Sequence, residues 1–207
     1  EIGIGFKRKV RAVLSNMDEP LGYSVGNAIE IIEAIETLKG NGAKDVKEVV
    51  YTIAAVALKA KGVIKELKDG YRKIDEVINS GLALSKLKEF IAESGGDENL
   101  VNDYSILPAA KEKLEIFSQN SGYVAKIKAE EIGKAAMIIG AGRATKYDKI
   151  DHSVGIKIFK KVGDKVEKGE KLAEIYYNDE KNLKNSNFLA KPNPRVQKNR
   201  NSLDLSS

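Results

Sequence analysis

The spacing of apolar residues changes once along the chain, from a helical period to a strand period, and this change constrains the fold more than any other feature. Five apolar residues recur at helical spacing after position 27, opposite a polar face: Ala28, Ile31, Ile32, Ile35 and Leu38. The segment Gly40-Asn41-Gly42 ends this predicted helix. Three further helices are predicted over 45–60, 73–79 and 82–92, with interruptions at Gly62, Gly70 and Gly81. The first half therefore contains a helical layer with short connections.

An apolar, partly β-branched run lies ahead of these helices. Residues Val10–Leu14 form this run, which predicts a buried strand. A turn segment follows, because Pro20 disfavours helix at the residue before it and Gly22 permits a sharp reversal of the backbone. A strand, a loop and an amphipathic helix in this order indicate an α/β unit.

Strand-like alternation dominates the second half. Strands are predicted over 113–117 and 122–127, a helix over 129–139, and short strands divided by glycines over 154–177. We therefore expect an α/β (α+β) chain: a partial mixed-sheet α/β domain with a helical layer over 1–107, then a small β-rich, barrel-sandwich-like C-terminal module over 108–178. The remainder, 179–207, is rich in Asn, Lys, Ser and Pro and predicts a disordered tail.

Composition excludes several kinds of site. The 207 residues include no cysteine and one histidine, His152, which excludes disulfides, a thiol nucleophile and zinc sites built from cysteines or several histidines. The net charge of +5 comes mostly from scattered lysines, so a nucleic-acid partner is not expected. The sequence shows no signal-peptide pattern, and we expect no membrane partner and a cytoplasmic protein. Because the first residue is Glu1 and not Met, we expect a piece of a longer chain.

The loop before the first amphipathic helix suggests a cation site. A loop that turns at Pro20 and Gly22 directs carbonyl oxygens out of regular pairing, and a carboxylate at Glu30 or Glu33 can converge with them. Such oxygens suit a hard, weakly hydrated monovalent cation better than zinc. The alternative is a capped loop with Glu33 simply solvated on a polar helix face.

Two other patterns admit catalytic or carrier interpretations, and both are disfavoured. The glycine-rich run 140–146 follows a predicted helix instead of leading into one, which favours a helix C-cap over a phosphate cradle. His152 and Ser153 are sequence neighbours without a glycine-flanked nucleophile elbow, so a hydrolase is disfavoured.

The pattern over 160–175 resembles biotinyl and lipoyl carrier domains, whose modified lysine lies in a Met-Lys-Met-like hairpin. Neither Met17 nor Met137 flanks a lysine, so the carrier function is disfavoured while the fold signal is kept. The basic stretch 181–200 has one aromatic residue, Phe188, and is more typical of a solvated tail than of a nucleic-acid surface.

Several of these segments together resemble one enzyme family. The run 17–28, continued by 33–40, looks like the signature region of bacterial pyrimidine-nucleoside phosphorylases and the related thymidine phosphorylases. Three more stretches are similar in the same order: 95–97, then 122–124 with 132–137, then 140–144 with 148–151 and on through 163–164. The resemblance covers about 1–178 and corresponds to the second half of such an enzyme.

The resemblance implies a homodimeric pentosyltransferase of nucleoside salvage. Such enzymes cleave uridine or thymidine with inorganic phosphate, releasing the base and a pentose 1-phosphate. In the family, a Lys-His-Ser glycine-rich motif binds phosphate and an arginine and a lysine hold the base, all in the first half. No position here matches them, so no catalytic or substrate-binding residue is assigned, and we expect this chain to be inactive alone.

A potassium site is the one site that the resemblance carries over. It places main-chain oxygens at Leu21 and Ser24 and the carboxylate of Glu33 around the ion, with further ligands expected from the other half of the enzyme. Relatives commonly have alanine where this chain has Ser24, but a main-chain oxygen does not depend on the side chain. The resemblance thus favours Glu33 over Glu30.

Two alternatives remain open at this point. One is a stand-alone, non-catalytic binding module, either a carrier-like sandwich or a basic nucleic-acid binder. The other is a part of a related phosphorylase such as an AMP phosphorylase, because the residues that set base and sugar preference are not in this chain.

Overall fold

The computed structural model describes residues 2–186 and 194–198. In chain order its helices and strands are α1 (Ile2–Gly5), β1 (Ser24–Gly26), α2 (Ala28–Glu36), α3 (Lys44–Ala60), α4 (Leu67–Asn79), α5 (Leu82–Glu93), β2 (Glu112–Phe117), β3 (Gly122–Lys126), α6 (Ala129–Ala136), β4 (Gly155–Ile158), β5 (Lys165–Val166), β6 (Lys171–Tyr177), α7 (Glu180–Asn185) and β7 (Arg195–Gln197). None of the helices in the described ranges is long and apolar enough to cross a membrane.

These elements fall into two compact units. The first combines 1–16 with 34–101, and the second combines 17–33 with 102–207. The predicted boundary between 107 and 108 lies close to the point after residue 101 where the chain passes from the first unit into the second. Residues 17–33, however, group with the β-rich second unit.

The first unit is helical. Helices α3 and α4 pack closely because Gly70 lies against Ala55: a Cβ atom at Gly70 would lie 2.6 Å from the Ala55 Cβ and 2.8 Å from Ile64 Cδ1. Gly70 was predicted to interrupt a helix, and this is wrong, since α4 runs through it from Leu67. The close approach of two helices outweighs the roughly 1 kcal/mol that glycine costs inside a helix.

The predicted spans of α3 and α5 are confirmed to within one residue, whereas the short helix α1 was not predicted. α3 and α5 differ from prediction by one residue at one end each, and a turn of π-type geometry over Thr37–Asn41 follows α2. Gly40 in that turn has φ +94°, which a residue with a Cβ rarely adopts, so the predicted glycine end of α2 is confirmed.

The predicted strand at Val10–Leu14 is wrong. These residues have no regular structure, and Leu14 is 98% and Val10 53% exposed. A strand needs a neighbour to pair its backbone groups, and no strand lies among the described residues of the first unit. The expected mixed sheet over 1–107 is therefore absent from the described residues, and the fold is α+β.

The second unit contains two small antiparallel sheets. The larger has the order β1-β4-β6-β2 and the smaller the order β5-β3-β7. Ile156 on β4 pairs with Ile175 on β6, and both are fully buried in a core that also receives Ile132 of α6. The predicted strands of this unit are confirmed, whereas the sheets, as far as the described residues go, do not close into a barrel.

Part of the predicted disordered tail is ordered. Residues 180–185 form α7, which buries Leu183 in the core, and β7 pairs antiparallel with β3 through Val196 and Val124. The rest of the predicted tail, 187–193 and 199–207, lies outside the described residues.

Candidate functional site

The structure brings the carboxylate of Glu33 onto the loop before β1. Oε1 of Glu33 accepts the backbone N–H of Tyr23 at 2.7 Å, and Oε2 accepts the backbone N–H of Ser24 at 3.1 Å. Ser24 is buried, while Leu21, three residues earlier, is half exposed. Of the three residues assigned to the cation site, Glu33 and Ser24 are thus in direct contact, and Leu21 lies in the same loop.

Gly22 allows the loop to wrap closely around this carboxylate. Its φ is +72°, and a Cβ atom there would lie 2.5 Å from Oε2 of Glu33. Both the backbone conformation and the space therefore require glycine. This cradle explains physically why a glycine follows Leu21 in the loop.

The carbonyl of Ser24 lies on the same side of β1 as the carboxylate. Among the described residues, β1 is the edge strand of its sheet and pairs with β4. In an antiparallel strand the N–H and C=O of one residue point to the same side. Since the N–H of Ser24 donates to Glu33, its carbonyl oxygen also faces away from β4.

A second set of contacts holds the loop from the side of the turn after β4. Nζ of Lys161 donates to the carbonyl of Pro20 and lies 5.4 Å from the centroid of the Tyr23 ring. Oε2 of Glu19 accepts the backbone N–H of Val162 at 3.1 Å. The loop is therefore fixed by charged side chains from two separate elements.

Glu30, the other carboxylate considered for the site, binds a different part of the backbone. Its Oε1 accepts the backbone N–H of Gly26 at 2.8 Å, just ahead of α2. A carboxylate in this position satisfies a donor at the start of the helix and interacts favourably with the helix dipole.

The loop offers oxygen atoms of the kind that binds hard cations. A carboxylate and main-chain carbonyls are hard oxygen ligands, which prefer cations such as those of the alkali and alkaline-earth metals. Hydrogen bonds from the N–H groups of Tyr23 and Ser24 hold the carboxylate of Glu33 on the side of β1 that the Ser24 carbonyl faces, so oxygen ligands of this kind lie together there. Among the described residues no cluster of three or more His, Cys, Asp or Glu side chains forms a metal site.

The segment around His152 has a structural role. Oδ1 of Asp151 accepts the N–H and hydroxyl of Ser153, and the amide of Asn178 donates to Oδ2 of Asp151 at 2.7 Å. Partial burial alone would raise the pKa of Asp151, but these hydrogen bonds outweigh it and lower the pKa. His152 itself contributes its backbone carbonyl, which accepts the N–H of Ala28. The network ties this loop to α2 and to the end of β6.

The glycine-rich run 140–146 follows a helix, as predicted. Gly140 has φ +115° at the end of the helical turn after α6, and Asp148 accepts the N–H groups of Ala144 and Thr145. A side chain of the protein therefore satisfies these two amides, and the run begins at the end of a helix.

One charged cluster was missed by sequence reasoning. Glu174 on β6 is only 8% exposed at its side chain and contacts the ammonium groups of Lys113 and Lys171 and the hydroxyl of Tyr176. Burial alone would raise the pKa of Glu174, but the hydrogen bonds from Lys171, Tyr176 and Lys113 lower it to about 2. The available signal was one lysine and one glutamate on each of the two strands, Lys113 and Glu115 on β2 and Lys171 and Glu174 on β6. The cluster joins β2 to β6 on the face of the sheet opposite the core.

The β-rich unit has a recognised domain class. Residues 123–195 match the family described as "Pyrimidine nucleoside phosphorylase C-terminal domain". This match spans β3, α6, β4, β5, β6 and α7.

Similarity to whole proteins extends beyond this domain. The chain is 46% identical over 179 residues to the pyrimidine-nucleoside phosphorylase of Bacillus subtilis (strain 168), a match that covers 86% of this chain and 41% of the relative. It is 44% identical over 177 residues to the pyrimidine-nucleoside phosphorylase of Staphylococcus aureus (strain USA300), with the same shares. The chain thus spans about two fifths of the length of these relatives. It is a homologue of the C-terminal part of pyrimidine-nucleoside phosphorylases, and the resemblance inferred from its motifs is confirmed.

Proposed function

We propose that this chain acts as the C-terminal part of a pyrimidine-nucleoside phosphorylase, a cytoplasmic, homodimeric pentosyltransferase. The whole enzyme would cleave the glycosidic bond of uridine or thymidine with inorganic phosphate. The observation that carries this proposal is the 46% identity over 86% of the chain to a protein of that name.

The reaction needs groups that this chain is not expected to provide. Phosphorolysis requires donors around a phosphate dianion and positive charge near the departing pyrimidine. By resemblance these groups belong to the N-terminal part of the enzyme. The chain alone is therefore expected to be inactive, and its own residues would shape and position the rest of the enzyme.

Potassium binding is the residue-level part of the proposal. Glu33 through its carboxylate, and Leu21 and Ser24 through their main-chain oxygens, would hold the ion. The bound ion would supply positive charge that joins this loop to oxygen ligands from the N-terminal part. Contacts of Glu33 with Tyr23 and Ser24 support this role, because they keep the carboxylate at the loop before any ion binds.

A covalent chimera tests the proposed activity. The part of the Bacillus subtilis relative that precedes its match to this chain would be joined to residues 1–207, and release of uracil or thymine in phosphate buffer would be measured. We expect phosphate-dependent release by the chimera and none by the 207-residue chain alone. A chimera that is folded but inactive on both nucleosides would contradict the proposal, and activity on AMP instead would favour the AMP phosphorylase alternative.

Potassium binding is tested separately from activity. Thallium-205 NMR, with thallium(I) as a potassium analogue, would report a bound ion in the chimera. The signal should be lost in the Glu33→Gln chimera and kept in the Glu30→Gln chimera. Equal binding by both variants would exclude Glu33 as a ligand.

A further inference from the structure

The turn after α2 ends in an asparagine that is followed by a glycine. This pair, Asn41-Gly42, is the one Asn-Gly sequence in the chain, and the side chain of Asn41 is exposed. An asparagine loses its side-chain ammonia when the backbone nitrogen of the next residue attacks the amide carbon. Glycine hinders this attack least, because it has no side chain and lets the backbone approach closely.

The glycine of this pair is required by packing. Gly42 has φ −64°, which any residue can adopt, so its backbone conformation does not demand glycine. A Cβ atom at Gly42 would, however, lie 2.7 Å from both Cγ2 and Oγ1 of Thr37, whose side chain is buried. The contact that shapes the turn therefore places beside Asn41 the residue that hinders the attack least.

The side chain of Asn41 binds a carboxylate at the end of α2. Its amide nitrogen donates to Oε2 of Glu36 at 2.8 Å, and Nζ of Lys39 donates to Oε1 of the same carboxylate at 3.3 Å. Nζ of Lys47 donates to the carbonyl of Gly40 in the turn. One amide and two ammonium groups thus offset the negative charge of Glu36 and of the carbonyls at this helix end.

We propose that Asn41 is a site of spontaneous deamidation, which converts it to aspartate or isoaspartate and loosens the end of α2. The inference goes beyond the proposed function, since it uses residues of the first unit alone. The backbone nitrogen of Gly42 forms a bond to the side-chain carbonyl carbon of Asn41, and the proton of that nitrogen leaves with the amide NH₂ as ammonia. One water molecule then opens the succinimide ring at either of its two carbonyls.

Either product changes the charge beside Glu36. The new carboxylate has no proton to donate to Oε2 and adds a negative charge near the C-terminal end of α2, where the helix dipole disfavours it. Isoaspartate also lengthens the main chain ahead of Gly42, which lies tightly against Thr37. The first unit therefore becomes less stable as the chain ages.

The first experiment follows the full 207-residue chain over time at mildly alkaline pH. Cleavage after glutamate releases residues 37–48, and tandem mass spectrometry measures the fraction in which the asparagine amide has become an acid. The matched control in the same digest is Asn120, an exposed asparagine before a serine, in residues 116–130. We expect conversion at Asn41 to be about tenfold faster or more, because serine carries a side chain and glycine does not.

Two variants identify the product and its effect. Labelling of the aged chain by an isoaspartyl methyltransferase should be lost in Asn41→Gln, because glutamine would have to form a larger ring. Asn41→Asp, which is itself one product, should lower the melting temperature that circular dichroism measures for the helices. Asn120→Asp changes the net charge equally and should leave that temperature unchanged.

Three results would overturn the proposal. Conversion of Asn41 no faster than that of Asn120 would show that the turn does not favour the reaction. Methyltransferase labelling that persists in Asn41→Gln would place the isoaspartate elsewhere. Equal melting temperatures of Asn41→Asp and the unchanged chain would show that the end of α2 does not depend on the amide of Asn41.

Discussion

The carboxylate of Glu33 accepts the backbone N–H of Tyr23 at 2.7 Å, which fixes the loop that precedes the edge strand β1. The same carboxylate also accepts the N–H of Ser24. Two charge-assisted hydrogen bonds to one side chain make the loop dependent on the chemistry of residue 33.

Substitution Glu33→Gln should therefore destabilise the second unit. A glutamine amide keeps one acceptor oxygen but turns a donor NH₂ towards a backbone N–H, so one of the two hydrogen bonds is lost. We expect a loss of about 1–3 kcal/mol in the free energy of unfolding, measured by urea denaturation.

Glu30→Gln is the matched control for this change. Glu30 accepts one backbone N–H, from Gly26, and glutamine can keep that bond by presenting its oxygen. The control should cost less than about 1 kcal/mol. Equal losses of unfolding free energy in the two variants would show that the two hydrogen bonds of Glu33 stabilise the protein no more than the single hydrogen bond of Glu30.

Gly22→Ala should lower the stability of the protein more than the same substitution at another glycine with a similar backbone conformation. At Gly22 the new Cβ would meet both a φ of +72° and the Glu33 carboxylate at 2.5 Å, whereas Gly163 has φ +91° and nothing within 4 Å of an added Cβ. We expect Gly163→Ala to cost about 1–2 kcal/mol from conformation alone, and Gly22→Ala to cost more. Thermal denaturation of both variants measures the difference, and equal melting temperatures would contradict the cradle.

The sequence predicted the local elements better than their partners. The helices of the first unit and the strands of the second follow from periodicity, because each pattern encodes which face of an element is apolar. Val10–Leu14 has the pattern of a strand but stays without regular structure, because pattern alone supplies no neighbour for its hydrogen bonds. The order around α7 was missed because the polar composition of the tail hid two apolar residues, Leu183 and Val196, that reach the core.

In the candidate site, too, the sequence predicted which side chains are available but not which partner each of them binds. Spacing permitted both Glu30 and Glu33 to face the loop, and only three-dimensional geometry separates a helix-capping carboxylate from one that binds the loop. The Glu174 cluster depends on the register between β2 and β6, which pairs Glu115 with Glu174. Register is set by long-range packing, so the sequence alone did not reveal it.

Glu174 should make stability depend on acidic pH. Its pKa falls from 4.5 to about 2 on folding. A carboxyl with a lowered folded pKa contributes stability above its unfolded pKa, and this contribution is lost as pH falls from about 4.5 towards 2. Urea denaturation across this range should show a flatter pH dependence for Glu174→Gln, and an unchanged slope would contradict the role of the cluster.

Lys161→Met should loosen the loop from its second side. The substitution keeps an aliphatic side chain of similar length but removes the donor to the Pro20 carbonyl and the positive charge over the Tyr23 ring. We expect a loss of about 1 kcal/mol in stability. Faster hydrogen exchange at the amides of Tyr23 and Ser24, measured by NMR, would locate the effect in the loop. Lys165→Met is the control, because the side chain of Lys165 is 70% exposed. Unchanged exchange in Lys161→Met would show that the contacts of Lys161 do not hold the loop.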